Sequence, residues 1–526
     1  MFKPAGERPS PPLSRSGRGL HATLGLSLVL LLAACAPASL KRDIVQAPPS
    51  YAEAPASEGV LADLAAQIAT EHGPEYSGFR ILDSSYDGLY YRLLLMDSAV
   101  SSLDIQTYLW YPDASGRLLL ERAVLAAQRG VKVRLIVDDL ILHGHDQLIA
   151  NLHAQPNIEF RMFNPWKTRG SMAGRAGEMI AQMERLNTRM HDKLMIVDGR
   201  AAVIGGRNIG DHYFGLNEVY NFNDTDVLGI GPVASQASKA FDGFWNSEWV
   251  VSADNLTIEP DADIARQQWE SLQAFTASTP VLASFPRQPG DWRTQLEGYA
   301  ASLHIGRSKM VYDEAEPEQI DQRMLSSMFN FFNIARRELL IMNAYIIPAQ
   351  NGIDAMRALT ARGVDVSILT NSLSSHDVPA VNSHYEPWRD DFLEAGVRLY
   401  EMRSDPAIKE TVIDVPPVVA EFSGLHSKCA VADDRYVFVG SMNLDPRSAS
   451  INTEMGLFVD SPGLAGEMAA IIRRDMSGAN AWHVQMDEDG ELFWQDDNET
   501  LTTQPARNGM QRVMNVLMKL GPRDQY

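Results

Sequence analysis

The chain has 526 residues, 45% of them apolar, which is enough for two or more domains that each bury a core. Its 46 Lys and Arg against 67 Asp and Glu leave a net charge of −21. A general nucleic-acid binder shows the reverse balance because it works by counterion release, so no nucleic-acid partner is expected; a local basic pocket stays compatible with the total.

At the amino terminus, Lys3, Arg8, Arg15 and Arg18 precede an apolar stretch, Leu24 to Ala34. That order reads as a signal peptide over residues 1–34, too short for a comfortable membrane span. The run Leu32-Ala33-Ala34-Cys35 resembles the lipobox of bacterial lipoproteins, in which the cysteine is diacylated. It implies lipidation at Cys35 and anchoring to a membrane of the bacterial cell envelope, facing the periplasm. Ala36 after the cysteine favours the outer membrane by the same resemblance. Residues 35–75 read as the acylated cysteine and a flexible tether, rich in Pro, Ala and Ser as far as about 58. The one other cysteine is Cys429, so a lipidated Cys35 leaves no intramolecular disulfide.

From about residue 76 the chain repeats itself. Leu103–Tyr108 reads as a strand, Leu118–Gln128 as a helix stopped by Arg129-Gly130, and Val131–Val137 as an apolar strand. Leu340–Tyr345, Ile353–Ala361, Arg362-Gly363 and Val364–Leu369 follow the same script, Gly363 lying 233 residues after Gly130. Strand, helix, strand is a βαβ unit of an α/β fold, and the offset points to duplication. The expected halves are 76–260 and 321–480, with a Pro-rich connector at 261–320 and a polar extension at 481–526. The extension closes on Met510, Val513, Met514, Val516, Leu517 and Leu520, either a short interfacial helix or one packed on the body.

The same motif sits in both halves. His191, Lys193 and Asp198 fit HxKxxxxD, as do His426, Lys428 and Asp433, 235 residues on. Asn208 follows His191 by 17 positions and Asn443 follows His426 by the same 17, with Gly206 and Ser441 in matching places. In a strand, His191 and Lys193 share a face, as do His426 and Lys428. Bringing the halves together puts two His, two Lys and two Asn around one pocket. Lys and Asn suit the oxygens of a phosphodiester; one imidazole can attack phosphorus while the other protonates the leaving alcohol. The constellation requires no metal and no cofactor. Each histidine needs an orienting acid: Glu454 is the candidate in the second half, and Asp226, backed by Asp224, in the first. Asp198 and Asp433, at strand-to-turn boundaries, read as structural hydrogen-bonders. Gln106, Tyr108 and Tyr345, at the ends of the first strands, join Gly206 and Ser441 as expected substrate contacts. His143, His145, His212, His376 and His384 lie off the motif and read as packed or surface residues. The Arg- and Met-rich stretch 161–190 reads either as an amphipathic helix over the core or as a lid touching lipid headgroups.

The paired HxKxxxxD motifs with the later Asn resemble the phospholipase D superfamily, over about residues 76 to 500. Gly205–Asp211, Phe160–Pro165, Leu369–Leu373, Asp445–Ser448 and Asn452–Gly456 resemble its bacterial cardiolipin synthase C-like branch. Where that branch carries a histidine, this chain has Asn382. The resemblance implies two phospholipase D-like α/β/α sandwich halves related by pseudo-twofold symmetry, with one shared active site. It implies phosphatidyl transfer between phospholipids through a phosphohistidine on His191, with His426 as the acid; the residues alone leave that order open. Phosphatidylglycerol, with phosphatidylethanolamine, is the substrate class expected. Hydrolysis of phospholipids by the same intermediate is the alternative, ahead of a periplasmic phosphodiesterase or nuclease and of a non-catalytic envelope scaffold.

Overall fold

Three parallel strands joined by crossover helices form the base of each half in the computed structural model, which describes residues 39–315 and 320–519. In the first half Ser102–Thr107, Lys132–Asp138 and Ile158–Phe163 run side by side, with helices Ala114–Gln128 and Asp146–His153 between them. Val133, Leu135 and Val137 bury one face beneath both crossover helices, while Ile136 buries the other face beneath the helix Pro232–Trp245. The second half repeats this with Glu338–Asn343, Asp365–Asn371 and Arg398–Met402. Each sheet then continues antiparallel: Lys193–Val197, Ala201–Gly205, Asp226–Ile230 and Ser77–Leu82 in one, Lys428–Ala432, Tyr436–Gly440, Met455–Asp460 and His304–Tyr312 in the other.

Equivalent strands meet at the seam. Ser77–Phe79 pairs antiparallel with His304–Gly306, after which the same strand moves on to Met455–Asp460, so 18 strands form one hydrogen-bonded array. An antiparallel pairing of equivalent strands is what a pseudo-twofold axis produces. The helices Pro232–Trp245 and Pro462–Asp475 occupy matching places, and their apolar sides share one core: Val233, Ala237 and Phe241 with Leu464, Met468 and Ile472. This common layer fixes the halves to one another, and hence the geometry between the two motifs.

Three boundaries differ from the sequence expectation. Within the expected tether, Val60–His72 is a helix that buries Leu61, Leu64 and Ile68, each worth about 1.5–3 kcal/mol when fully buried. The extended chain before it is held by partners far along the sequence: Ser50 N donates to Asn246 Oδ1 and Ala56 N to the Asp198 carbonyl, at 3.0 and 2.9 Å. A Pro- and Ala-rich segment with no period of its own gives no hint of such docking. The expected connector contains the helix Ala262–Ser278, capped by Asp261, and the seam strand His304–Tyr312. The second half also runs past 480, since Ala481–Met486 pairs with Arg398–Met402 as Val250–Ser252 pairs with Ile158–Phe163. Cys35 and the segment read as a signal peptide lie outside the described residues. Among the described residues, no helix is long and apolar enough to cross a membrane.

Candidate active site

Both motif lysines open a strand beside the end of the first parallel strand: Lys193 lies opposite Thr107, and Lys428 opposite Asn343. The histidines stand just ahead, where each chain leaves its own sheet and runs against the other half. There His191 N donates to the Thr453 carbonyl at 3.1 Å and His426 N to the Asn223 carbonyl at 2.8 Å. The second contact extends a two-stranded ladder, Tyr220–Asn223 parallel to Phe422–Leu425, that crosses between the halves. Even the middle residues of the motifs bind across: Asp192 accepts from the Thr453 hydroxyl at 2.7 Å, and the Ser427 and Thr225 hydroxyls lie 3.1 Å apart.

Because the backbones cross, so do the orienting acids. Glu454 of the second half lies 3.0 Å from Nδ1 of His191, and Asp224 of the first half lies 2.6 Å from Nδ1 of His426. The Asp226 assignment is therefore corrected: its carboxylate pairs with Arg92 at 2.9 Å and Arg207 at 3.3 Å, and Asp224 takes the place expected for it. Gly206 and Ser441 are corrected as well, since they back the two acids rather than standing free for substrate. A Cβ at Gly206 would come 2.2 Å from Oδ1 of Asp224, whereas the Ser441 hydroxyl donates to Glu454 at 2.5 Å. The Ser448 hydroxyl, which the sequence reading missed, donates to the other Glu454 oxygen at 2.6 Å.

Burial sets the charge state. It pulls the His191 imidazole well below its ordinary value, with Lys193 and Lys428 adding to the fall. It takes His426 down to about 4, helped by Lys428 and opposed by Asp224. Burial raises Asp224, but the His426 contact and the Lys428 charge outweigh it and hold the carboxyl at about 2. Both imidazoles are thus neutral at pH 7, each with Nδ1 on an acidic side chain and Nε2 left for chemistry. Burial pushes Glu454 well up, against the Lys193 charge and the Ser441 and Ser448 hydroxyls. Burial also pulls Lys193 to about 7, against Glu454, and Lys428 to about 8, against Asp224. Each ammonium donates to the carbonyl of its own motif histidine. An anionic phosphodiester complements this set of side chains: its charge favours both ammonium groups and supports one imidazolium. We expect kcat/KM for a soluble phosphodiester to fall as pH rises through about 7 to 8, where the free lysines lose their protons. A profile flat to pH 10 would remove them from substrate binding.

The remaining predicted residues divide by position. Tyr108 sets its ring edge against His191 at 5.2 Å with Lys193 5.3 Å from its centroid, and Tyr345 is its counterpart beside His426 and Lys428 at 6.4 and 5.7 Å. Gln106 is buried, its amide without a hydrogen-bond partner among the described residues. Asn208 is occupied at both ends, accepting from Leu109 N at 3.2 Å and donating to the Tyr213 hydroxyl at 2.8 Å; Asn443 keeps a buried Oδ1 unpaired among the described residues. Of the off-motif histidines, His376 stacks on Tyr345 at 5.3 Å and His212 packs on Tyr213, so two of them belong to the wall around His426.

Asp198 and Asp433 lie away from the chemistry. Both adopt φ of 57° and turn a carboxylate onto three successive backbone amides: Val100, Ser101 and Ser102 in one half, Arg336, Arg337 and Glu338 in the other. Each ties the motif strand to the start of the first parallel strand. Asp198→Ala should cost about 1–3 kcal/mol in chemical denaturation, with activity per folded molecule retained. At Asp433 burial raises the pKa, but the three amides outweigh it and hold it below 3.8. Its stabilising contribution is fully present above that value and is lost as pH falls through the lowered pKa.

Duplicated sheets that share one pocket of paired His and Lys define a two-half enzyme of phosphodiester chemistry. The chain belongs to the family described as cardiolipin synthase, PLD-like domain, whose model matches residues 93–245 and 328–476, one copy per half. Cardiolipin synthase C of Escherichia coli (strain K12) is 32% identical over 472 residues, covering 88% of this chain and 98% of that protein. An uncharacterized protein of Helicobacter pylori (strain ATCC 700392 / 26695) is 32% identical over 422 residues, 79% of this chain and 82% of its own. The crystal structure of phosphatidylserine synthase from Haemophilus influenzae Rd KW20 aligns with a TM-score of 0.52 at 14% identity, over 76% of this chain and 86% of that one, which speaks for the fold.

Proposed function

We propose that this enzyme transfers a phosphatidyl group from one phospholipid to an alcohol of another, in the manner of a cardiolipin synthase. Nε2 of His191 attacks phosphorus, the P–O bond to the headgroup breaks and an N–P bond forms. His426, protonated once the anionic substrate is bound, gives its proton to the departing alkoxide. A second lipid's hydroxyl then loses its proton to His426 and attacks phosphorus, releasing His191. With phosphatidylglycerol in both roles the products are cardiolipin and glycerol. The observation that carries this reading is the crossed pair of imidazoles, each oriented by a carboxylate from the other half and each beside a buried lysine. Acylation of Cys35 would hold the enzyme on a periplasm-facing membrane of the envelope, the outer one by our reading, where both substrates lie.

Lipid mass spectrometry tests it. Purified, detergent-solubilised protein is incubated with phosphatidylglycerol, with and without phosphatidylethanolamine. Cardiolipin that forms with wild type and vanishes in His191→Ala is the expected result. Phosphatidic acid alone would make the enzyme a hydrolase, and no lipid product would return the nuclease and scaffold readings.

A further inference from the structure

A surface helix normally turns its apolar stripe toward the core. Two helices of this chain do the reverse. In Gly509–Met518 the side chains that face the body are Gln511 and Asn515: Gln511 Nε2 donates to the Leu373 carbonyl at 2.5 Å, and Asn515 bonds Asn382 and Glu386, both at 2.8 Å. Met510, Val513, Val516 and Leu517 point outward, each more than half exposed. In Met172–Ala181 the buried residue is Glu178, which accepts from the backbone amides of Lys167 and Thr168 and from Arg185. Met172 and Ile180 are 80% and 84% exposed, with Met183 beside them in the next turn.

Each inverted helix borders one histidine. Met172–Ala181 lies in the excursion that returns at Arg189–His191, and Asn187, which ends the short helix Met183–Asn187 after it, accepts from Arg447, one residue before the Ser448 that serves Glu454. Gly509–Met518 rests on the segment whose His376 and Asp377 meet Tyr345. Just before it, Arg507 lies 3.7 Å over the ring of Phe422, from which Tyr220 and Phe222 lead ring by ring to His426. Charge is distributed to match. In a chain of net −21, residues 501–520 contain Arg507, Arg512 and Lys519 and no acid, and beside Met172–Ala181 stand the exposed Lys167 and the half-buried Arg175, whereas Arg161 and Arg169 are buried, the latter on Asp139 and Asp146.

We propose that these two faces are a bilayer contact, one on each side of the cleft, which seats the mouth of the active site on an anionic phospholipid surface. Apolar side chains enter the interface while the neighbouring cations meet headgroup phosphates. A lipid leaving the bilayer then reaches the histidines between the two helices. The inference rests on the phospholipid reading above but predicts something that reading does not: contact independent of any acyl anchor, through named side chains.

The test uses the full chain with Cys35→Ser, which removes acylation, and vesicles of phosphatidylethanolamine and phosphatidylglycerol. An environment-sensitive fluorophore is placed at Val516→Cys, at Ile180→Cys or, as a control, at Glu270→Cys on the exposed helix of the linking segment. The expected result is a blue shift on vesicle addition at the first two positions and none at the third. A combined Ile180→Ser, Val516→Ser, Leu517→Ser variant should partition to vesicles about tenfold less and turn over vesicle lipid correspondingly more slowly. Its rate on a dispersed short-chain phospholipid should be unchanged. No shift at either helix, or unchanged partition in the variant, would overturn the proposal. A wild-type dimer that the variant splits would overturn it too, by assigning the faces to a second copy. Blue shifts in a protein that turns over no phosphodiester would uphold the membrane contact while removing the catalytic reading.

Discussion

Alanine at His191 or at His426 should each lower turnover of a natural phospholipid by about 10⁴-fold or more, because neither half holds a complete set of catalytic groups. The two defects should separate with a better leaving group. A nitrophenolate departs without a proton, so His426→Ala should regain the first step on a nitrophenyl phosphodiester, as a burst of about one nitrophenol per molecule, while His191→Ala should release none. The rescued variant should also accumulate a phosphorylated protein that is stable to base and labile to acid, as an N–P bond is. Burst amplitudes of both variants on the nitrophenyl substrate, with steady-state rates on phospholipid and isolation of the adduct, check the order of the histidines. Rescue of His191→Ala in place of His426→Ala would reverse the roles; full activity of either variant on phospholipid would exclude a shared site. The symmetric geometry makes this experiment necessary, since each imidazole has a carboxylate, a lysine and a tyrosine in equivalent positions.

Much of this arrangement is legible in the sequence, for a physical reason. Strand alternation places His191 with Lys193 and His426 with Lys428, the apolar residues that follow them make rigid buried strands, and duplication implies two matching sheets. Which acid serves which histidine is not legible. Spacing names Glu454 and offers Asp224 beside Asp226, but the choice is made by the ladder between Tyr220–Asn223 and Phe422–Leu425, a pairing of residues some two hundred apart with no local signature. The break between strands explains it afterwards: Asp224 lies just past that ladder and turns toward His426, whereas Asp226 already opens the next strand and faces Arg92 and Arg207. The terminal helix is a different case. Its apolar spacing is plain from Met510 to Leu517, yet the side that docks is decided by what Gln511 and Asn515 meet on another element.

The two neighbouring aspartates should therefore fail in different ways when mutated. Asp224→Asn keeps the size of the side chain and can still accept from Nδ1 of His426, so its stability should stay within about 1.5 kcal/mol of wild type. It removes the charge that stabilises a protonated His426, and turnover should fall by about 10² to 10⁴-fold. Asp226→Asn touches neither histidine. It leaves the fully buried guanidinium of Arg207, and Arg92 beside it, without their carboxylate. The expected cost is about 2–4 kcal/mol in unfolding free energy, with activity per folded molecule close to wild type. Denaturant titration together with rates normalised to folded protein separates the two. Arg207 makes this informative, because it also donates to the carbonyls of Leu82, Asp83 and Asp224. Were Asp226→Asn to lose activity while keeping its stability, Arg207 would be transmitting the change to Asp224 through that last bond, and Asp226 would be a positioning residue for His426 after all.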